Sequence, residues 1–404
     1  MGFVIGAFIT VFLIKLNIIS GITQELESDS YEYACYAKNL VNNFSYRCLY
    51  QTGRSEYVGR EFLAYRPFGY PFLLAIFKGT FGANWIKAAQ IFQAFLESLT
   101  VVGVIFLNSL SAKAIFVLLV AFFNIWTPLI LTESVASSLI FLAFITLAFK
   151  PILAGLLIAS GVFVKQTLLF ASLPYIFSRK IVFCVVFISL SLGFVAFSVR
   201  NFKECNRLTP LTSNFYRHAL DGLGVNPFDF ITNVKNEPCW EFKFNDTLKN
   251  VFFEHLFSNP KEVASIYKER FLTFFSANLL KDFMPVLRLS FQSDDLKAFY
   301  KASIEFYSHV FCLSLFGSIV VFVYLPQFRL MVMGLWIFVV IHPILSRTDF
   351  RFLSALAYFL FFNLGLLVDF CISKINMHHA LPLPSSFIFC LLYTSPSPRD
   401  QRGS

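Results

Sequence analysis

The chain has 404 residues, of which 57% are apolar and only 14% charged, with 54 phenylalanines among them and a net charge of +9. Its mean hydropathy is +0.66. A soluble domain carries about 25% charged residues, so the composition excludes an ordinary soluble protein and points to one that meets lipid. The basic residues are scattered among loops rather than striped along one helix, which argues against nucleic acid and reads as topology signals and contacts for anionic ligands.

The first apolar block, residues 2–22, lacks a basic leading segment and a small-residue cleavage site, so it reads as a first membrane helix and not a removed signal. A polar segment rich in Tyr, Asn and Arg follows over residues 24–66. Apolar blocks then run over 85–107, 114–131, 135–149 and 152–164, with a shorter one at 167–177 that makes a hairpin with its predecessor. The series ends with 181–199, 304–325, 330–345 and 352–372. The expected fold is all-α, a polytopic transmembrane bundle of about ten passes, with interfacial helices in its outer loops at about 24–84 and 200–303. Residues 1–374 form that domain and 375–389 a tail. The run Cys390 to Asp400, CLLYTSPSPRD, is what a transposase sequencing adapter encodes in one frame, so 390–404 is set aside as an artefact.

Charge in the short loops orients the bundle. Lys113, Lys150, Arg179, Lys180, Arg329 and Lys374 fall on one side, read as cytoplasmic, against Lys165, Arg347 and Arg351 on the other. Both long polar segments then share the outer face. Cys35, Cys48, Cys205 and Cys239 all lie in them, where an oxidising compartment allows disulfides in any of three pairings or leaves the thiols free. Two sequons, Asn43-Phe44-Ser45 and Asn245-Asp246-Thr247, are outer as well.

The acidic run from Glu25 to Glu32 follows the first helix. Such a run is ordinarily a solvated face. Tyr33, Ala34, Ala37 and Leu40 recur at helical spacing behind it, however, so Asp29 opens an amphipathic interfacial helix as a cap or as a proton acceptor. Glu97 sits mid-helix in an apolar block, where an ionisable residue is a functional candidate by default. Arg66-Pro67 and Tyr70-Pro71 make a stiff elbow.

Ser28-Asp29-Ser30-Tyr31-Glu32-Tyr33, then Arg66-Pro67-Phe68-Gly69-Tyr70-Pro71-Phe72-Leu73-Leu74-Ala75, resemble the opening of family 39/83-like glycosyltransferases of the GT-C superfamily. That group includes dolichyl-phosphate-mannose protein mannosyltransferases and aminoarabinose transferases. The resemblance continues through Leu131-Thr132-Glu133-Ser134, Gly161 to Thr167, Arg200-Asn201-Phe202, Thr209 to Thr212, and Asp349-Phe350-Arg351-Phe352. It implies inverting transfer of a sugar from a polyprenyl-phosphate donor to a glycan, lipid or protein acceptor, in a bacterial inner membrane facing the periplasm or in the ER membrane facing the lumen. Asp29 then maps to the catalytic base. Arg351 maps near the lipid phosphate, with Arg200, Lys165, Glu32, Glu133 and Arg66 as further substrate-binding residues. No cluster has metal-ligand spacing and no nucleotide-phosphate loop is present, so the sequence indicates no cofactor, and a divalent cation stays open without being indicated. A transporter or flippase for lipid-linked sugars is the competing expectation, although the repeat symmetry and broken mid-membrane helices such folds use are not evident.

Overall fold

Helix α1 (Gly2–Gly21) is apolar over most of its length, with Lys15 turned inward, and presents Phe3, Ile5, Ile9 and Leu13 outward, each about half exposed. A helix whose outward face is so apolar is at home where that face meets lipid. The computed structural model describes residues 1–26, 28–50, 58–63, 65–122, 127–208, 215–233, 239–273, 289–345 and 356–380. After α1 come strand β1 (Ile22–Gln24), α2 (Ser28–Asn43), strands β2 (Cys48–Leu49) and β3 (Glu61–Phe62), α3 (Gly69–Phe81), α4 (Trp85–Leu99) and a 3₁₀ turn at Thr100–Phe106. Four apolar helices follow: α5 (Leu110–Phe122), α6 (Thr132–Thr146), α7 (Pro151–Val164) and α8 (Leu168–Ser178). The chain then forms α9 (Lys180–Cys205), α10 (Phe215–Gly222), α11 (Trp240–Ser258), α12 (Pro260–Thr273), strand β4 (Leu289–Phe291), α13 (Asp294–Tyr324), α14 (Arg329–Leu345) and α15 (Ala357–Ala380).

The all-α character is as expected, but the ten-pass bundle is not found. Among the described residues four helical stretches are long and apolar enough to cross a membrane: Gly2–Gly21, Gly69–Phe106, Lys180–Cys205 and Ala357–Lys374. A pair bent by 120°, His309–Tyr324 and Pro326–Ile341, raises the number to five. Helices α5 to α8 have 13, 15, 14 and 11 residues, short of the roughly 20 that span a hydrocarbon core. Their apolar side chains are used inside the molecule: Phe116, Ile140, Phe141, Ile158 and Leu168 are wholly buried in the main core. Hydropathy registers removal from water and does not separate lipid from protein interior. The second span also begins earlier than expected, because α3 extends α4 outward through residues that read as part of a polar loop.

The two ends of the bundle differ. At one, the Asn108 and Ser109 amides donate to the Asp369 carboxylate at 2.6 and 2.7 Å, Phe106 meets Phe149, and Tyr324 stacks on Phe370 beside Lys374. At the other, β1 pairs antiparallel with β4 with Thr23 opposite Ser290, and Gln24 accepts from the Ile130 amide at 2.7 Å. That second end carries a lobe with its own aromatic core. Tyr36, Tyr46, Tyr50, Phe62, Trp240 and Phe244 bury one another there, joining α2, β2 and β3 to α10 and α11. Cys35 is bonded to Cys48 and Cys205 to Cys239. Long apolar helices together with two disulfides describe a membrane-associated protein with a domain on the oxidising side. The apolar face expected of α2 is turned into the protein: Tyr33, Ala34, Tyr36 and Ala37 are buried between the two cores.

Inside the apolar bundle, Lys15 of α1 donates to Glu97 of α4 and, at 3.1 Å, to Thr127. Thr127 and Ser134 also donate to Glu97. Glu97 is wholly enclosed, so its charge is tolerated only because Lys15 and two hydroxyls satisfy it. Lys15→Met therefore leaves a buried carboxylate without its counter-charge, at a cost of about 3–5 kcal/mol. Detergent-solubilised Lys15→Met should show a sharply lowered unfolding temperature, and the pair Lys15→Met/Glu97→Leu should recover most of the loss; equal loss in single and double variants would refute the pairing.

Candidate functional site

Asp29 and Glu32 lie three residues apart on one face of α2. Arg66 reaches them from the elbow before α3, where the following proline holds the backbone out of helix. Its Nη2 donates to Asp29 and its Nε to Glu32, so one planar guanidinium bridges two carboxylates. Tyr33 and Tyr65 present their rings to the same guanidinium, each at 5.2 Å. The side chains of Arg66 and Glu32 are 8% and 5% exposed, whereas that of Asp29 is 18% exposed and is the member that meets solvent.

Burial pushes the Glu32 carboxyl above its ordinary range; Arg66 opposes that shift and the Asp29 charge adds to it. Burial alone would lower Arg66, but Asp29 and Glu32 reverse the effect and hold it well above its usual value. The Tyr46 hydroxyl ties the cluster to its surroundings by donating to the Arg66 carbonyl at 2.9 Å and to Pro67 at 3.2 Å. Burial raises Tyr46 well above its ordinary value, so the hydroxyl keeps its proton for those bonds.

Immediately beyond Pro67 opens a groove of about 640 Å³ walled by α3, α7 and α9, with residues of α4 and α6 behind. Phe72, Leu73, Ile76, Leu139, Phe163 and Phe194 make its apolar surface. Two glycines set the spacing of the walls. A Cβ at Gly69 would fall 2.6 Å from the Phe163 carbonyl carbon, and one at Gly193 would strike the Phe163 ring. Arg200 is the one cation in the lining, and among the described residues no carboxylate lies within salt-bridge distance of it. Its guanidinium donates to the Tyr46 carbonyl at 2.6 Å and to Asn201 Oδ1 at 2.7 Å. Those two bonds leave part of a five-donor fork for a ligand.

Tyr46 thus stands between two arrangements: its hydroxyl holds the backbone of Arg66, whose side chain carries Asp29 and Glu32, and its carbonyl holds Arg200 in the groove lining, where the three members of the triad are not found. Lys165 and Glu133 are elsewhere engaged, in a buried pair at 2.9 Å behind Val164 and Gln166. Arg207 pairs with Asp246 on the surface at 3.0 Å. Arg351 and the segments 209–212 and 349–352 lie outside the described residues. Among the described residues no group of three or more His, Cys, Asp or Glu converges as metal ligands do. Sequence reasoning missed Tyr46 and also Glu241, whose two carboxylate oxygens both accept from the Leu63 amide at 2.9 Å. It also missed Lys15, although a lysine within an apolar helix is itself a signal that an acid waits on a neighbouring one.

No family model matches the chain, and no curated protein and no solved structure is similar to it. The resemblance to GT-C transferases is accordingly overturned. Among the described residues there are four or five candidate spans instead of ten, the interior holds buried ion pairs, and no homology supports the short matching motifs. Sugar transfer from a polyprenyl-phosphate donor falls with it. Motifs of this kind reflect local needs that many membrane proteins share: an acid after a helix, a proline elbow, a basic residue at a helix end.

The Glu32 shift has a consequence for stability. A carboxyl whose pKa is higher in the folded chain binds its proton more tightly there. Its contribution is full below the unfolded value, ordinarily 4.5, and is lost as pH rises through the folded one. The unfolding temperature of the intact protein should therefore fall as pH rises above that value, and Glu32→Gln, which still accepts from Arg66 Nε, should flatten the profile. An unchanged slope in Glu32→Gln would assign the dependence to other groups.

Proposed function

We propose that this protein binds one anionic lipid at the oxidising side of the membrane, its chain in the groove between α3, α7 and α9 and its headgroup at Arg200. The observation that carries the reading is the lining itself: apolar along its length, of a volume typical for small-molecule sites, with one guanidinium lacking a carboxylate partner among the described residues at the end nearest the lobe. Such a site is complementary to an amphiphile with a negative head and fits a neutral or cationic one poorly. The compartment we propose is the periplasmic face of a bacterial inner membrane, with the ER lumen as the alternative; both oxidise cysteines.

Native mass spectrometry of the purified protein checks this. Wild type should retain an anionic lipid. Arg200→Gln, which removes charge-assisted hydrogen bonds worth about 1.5–3 kcal/mol, should weaken retention roughly tenfold to hundredfold. Leu139→Trp, which fills the groove, should do the same without touching the charge. Equal retention of anionic lipid by Arg200→Gln and wild type would exclude a headgroup role for Arg200.

One observation favours a second reading, that the protein is an enzyme acting on the headgroup. Asp29 is the solvent-accessible member of a triad whose other members are buried, the placement a proton acceptor for a hydroxyl or amine requires. On this reading Arg66 and Glu32 are positioning residues. Asp29→Asn should then bind lipid normally while turnover of the bound lipid falls on the order of 100-fold. Turnover that survives in Asp29→Asn would leave binding alone.

A further inference from the structure

The second half of α11 carries an exposed stripe that neither the groove nor the triad uses. Lys249, Phe253 and Phe257 follow at four-residue intervals, and Lys261 continues the spacing at the start of α12. Phe253 is 37% and Phe257 75% exposed, and their rings stack with centroids 6.0 Å apart and planes 15° off parallel. Single exposed apolar residues are commonplace. A stacked aromatic pair bracketed by lysines is different, because it matches how helices seat in the headgroup–acyl boundary.

The position of the stripe says what covers it. Helix α12, which leaves this corner, packs on α14, half of the bent candidate span. Phe271 near its end packs against the main core of the bundle. The corner between α11 and α12 is thereby anchored to the apolar bundle itself, which carries the lipid-facing surfaces of α1 and α9. Glu254 and Glu262 balance Lys249 and Lys261 in number, so contact here depends on ring insertion more than on net charge.

We infer that Phe253 and Phe257 insert into the bilayer surface on the oxidising side, with Lys249 and Lys261 at phosphate level, and that this contact seats the disulfide-bonded lobe over the membrane. It holds whether or not the groove contains a lipid. Its test uses the full chain in nanodiscs containing a phosphatidylcholine with a photoreactive diazirine high on one acyl chain, followed by peptide mass spectrometry. Adducts are expected on the peptide bearing Phe253 and Phe257 as well as on the exposed face of α9 around Phe187 to Val195, and they should persist at high salt. In Phe253→Asp/Phe257→Asp the first set should vanish and the α9 set remain. Adducts on α9 with none on the α11 peptide of the wild-type chain would overturn the inference and leave the stripe to a protein partner or a second copy.

Discussion

Arg66 is the constraint on which the rest of the described structure turns. A guanidinium cannot give up its proton under any ordinary condition, so a buried one must be met by acceptors where it stands. Here they are Asp29 and Glu32, and meeting them forces α2 to lie against the elbow before α3. Two consequences follow at once. The aromatic residues on the other face of α2 become the floor of the lobe core, and α3 is aimed so that Gly69 abuts α7 and opens the groove beyond it. Replacing one partner leaves a buried charge exposed to the full desolvation cost, which is why such pairs are hard to alter singly.

The same rule recurs at two other places and accounts for an interior that is polar in spots while the composition is so apolar. Lys15 with Glu97 joins α1 to α4, and Lys165 with Glu133 joins the end of α7 to the start of α6. The first links elements 82 residues apart and the second closes the hairpin of two consecutive helices, so the pairs act as address labels for packing among helices that are otherwise nearly interchangeable in hydropathy. Arg200 breaks the pattern. It is held by a backbone carbonyl and an asparagine, with no carboxylate at salt-bridge distance among the described residues, and it is the cation that borders the groove. The contrast between Lys15, Arg66 and Lys165, each on a carboxylate, and Arg200 at the groove is what the lipid-binding proposal rests on.

Much of this was legible from the residues, though unevenly. The apolar helices α1 and α9 read correctly because an unbroken apolar run as long as a bilayer core is thick rarely occurs outside a membrane. Helices α5 to α8 misread for the converse reason: 11 to 15 residues satisfy the hydropathy of a span without its length, and burial such as that of Phe141 writes the same signal as lipid. Asp29, Glu32, Arg66 and Arg200 could be singled out by type and place, but that Arg66 bridges the first two depends on a contact 37 residues away in sequence. The groove was not legible at all, since it exists only where Gly69 and Gly193 let backbones approach Phe163. Cysteine position pointed to an oxidising side while leaving three pairings open, and only the geometry selects Cys35 with Cys48 and Cys205 with Cys239.

An electron cryomicroscopy map of the protein in a lipid nanodisc tests the central claim most directly, because it shows the groove and its occupant together. Lipid binding at Arg200 predicts an elongated density between α3, α7 and α9 that runs past Phe72 and Phe163 and ends in a compact headgroup within hydrogen-bonding distance of the guanidinium. A groove closed by its own side chains, with Arg200 turned onto a carboxylate of the chain, would contradict it.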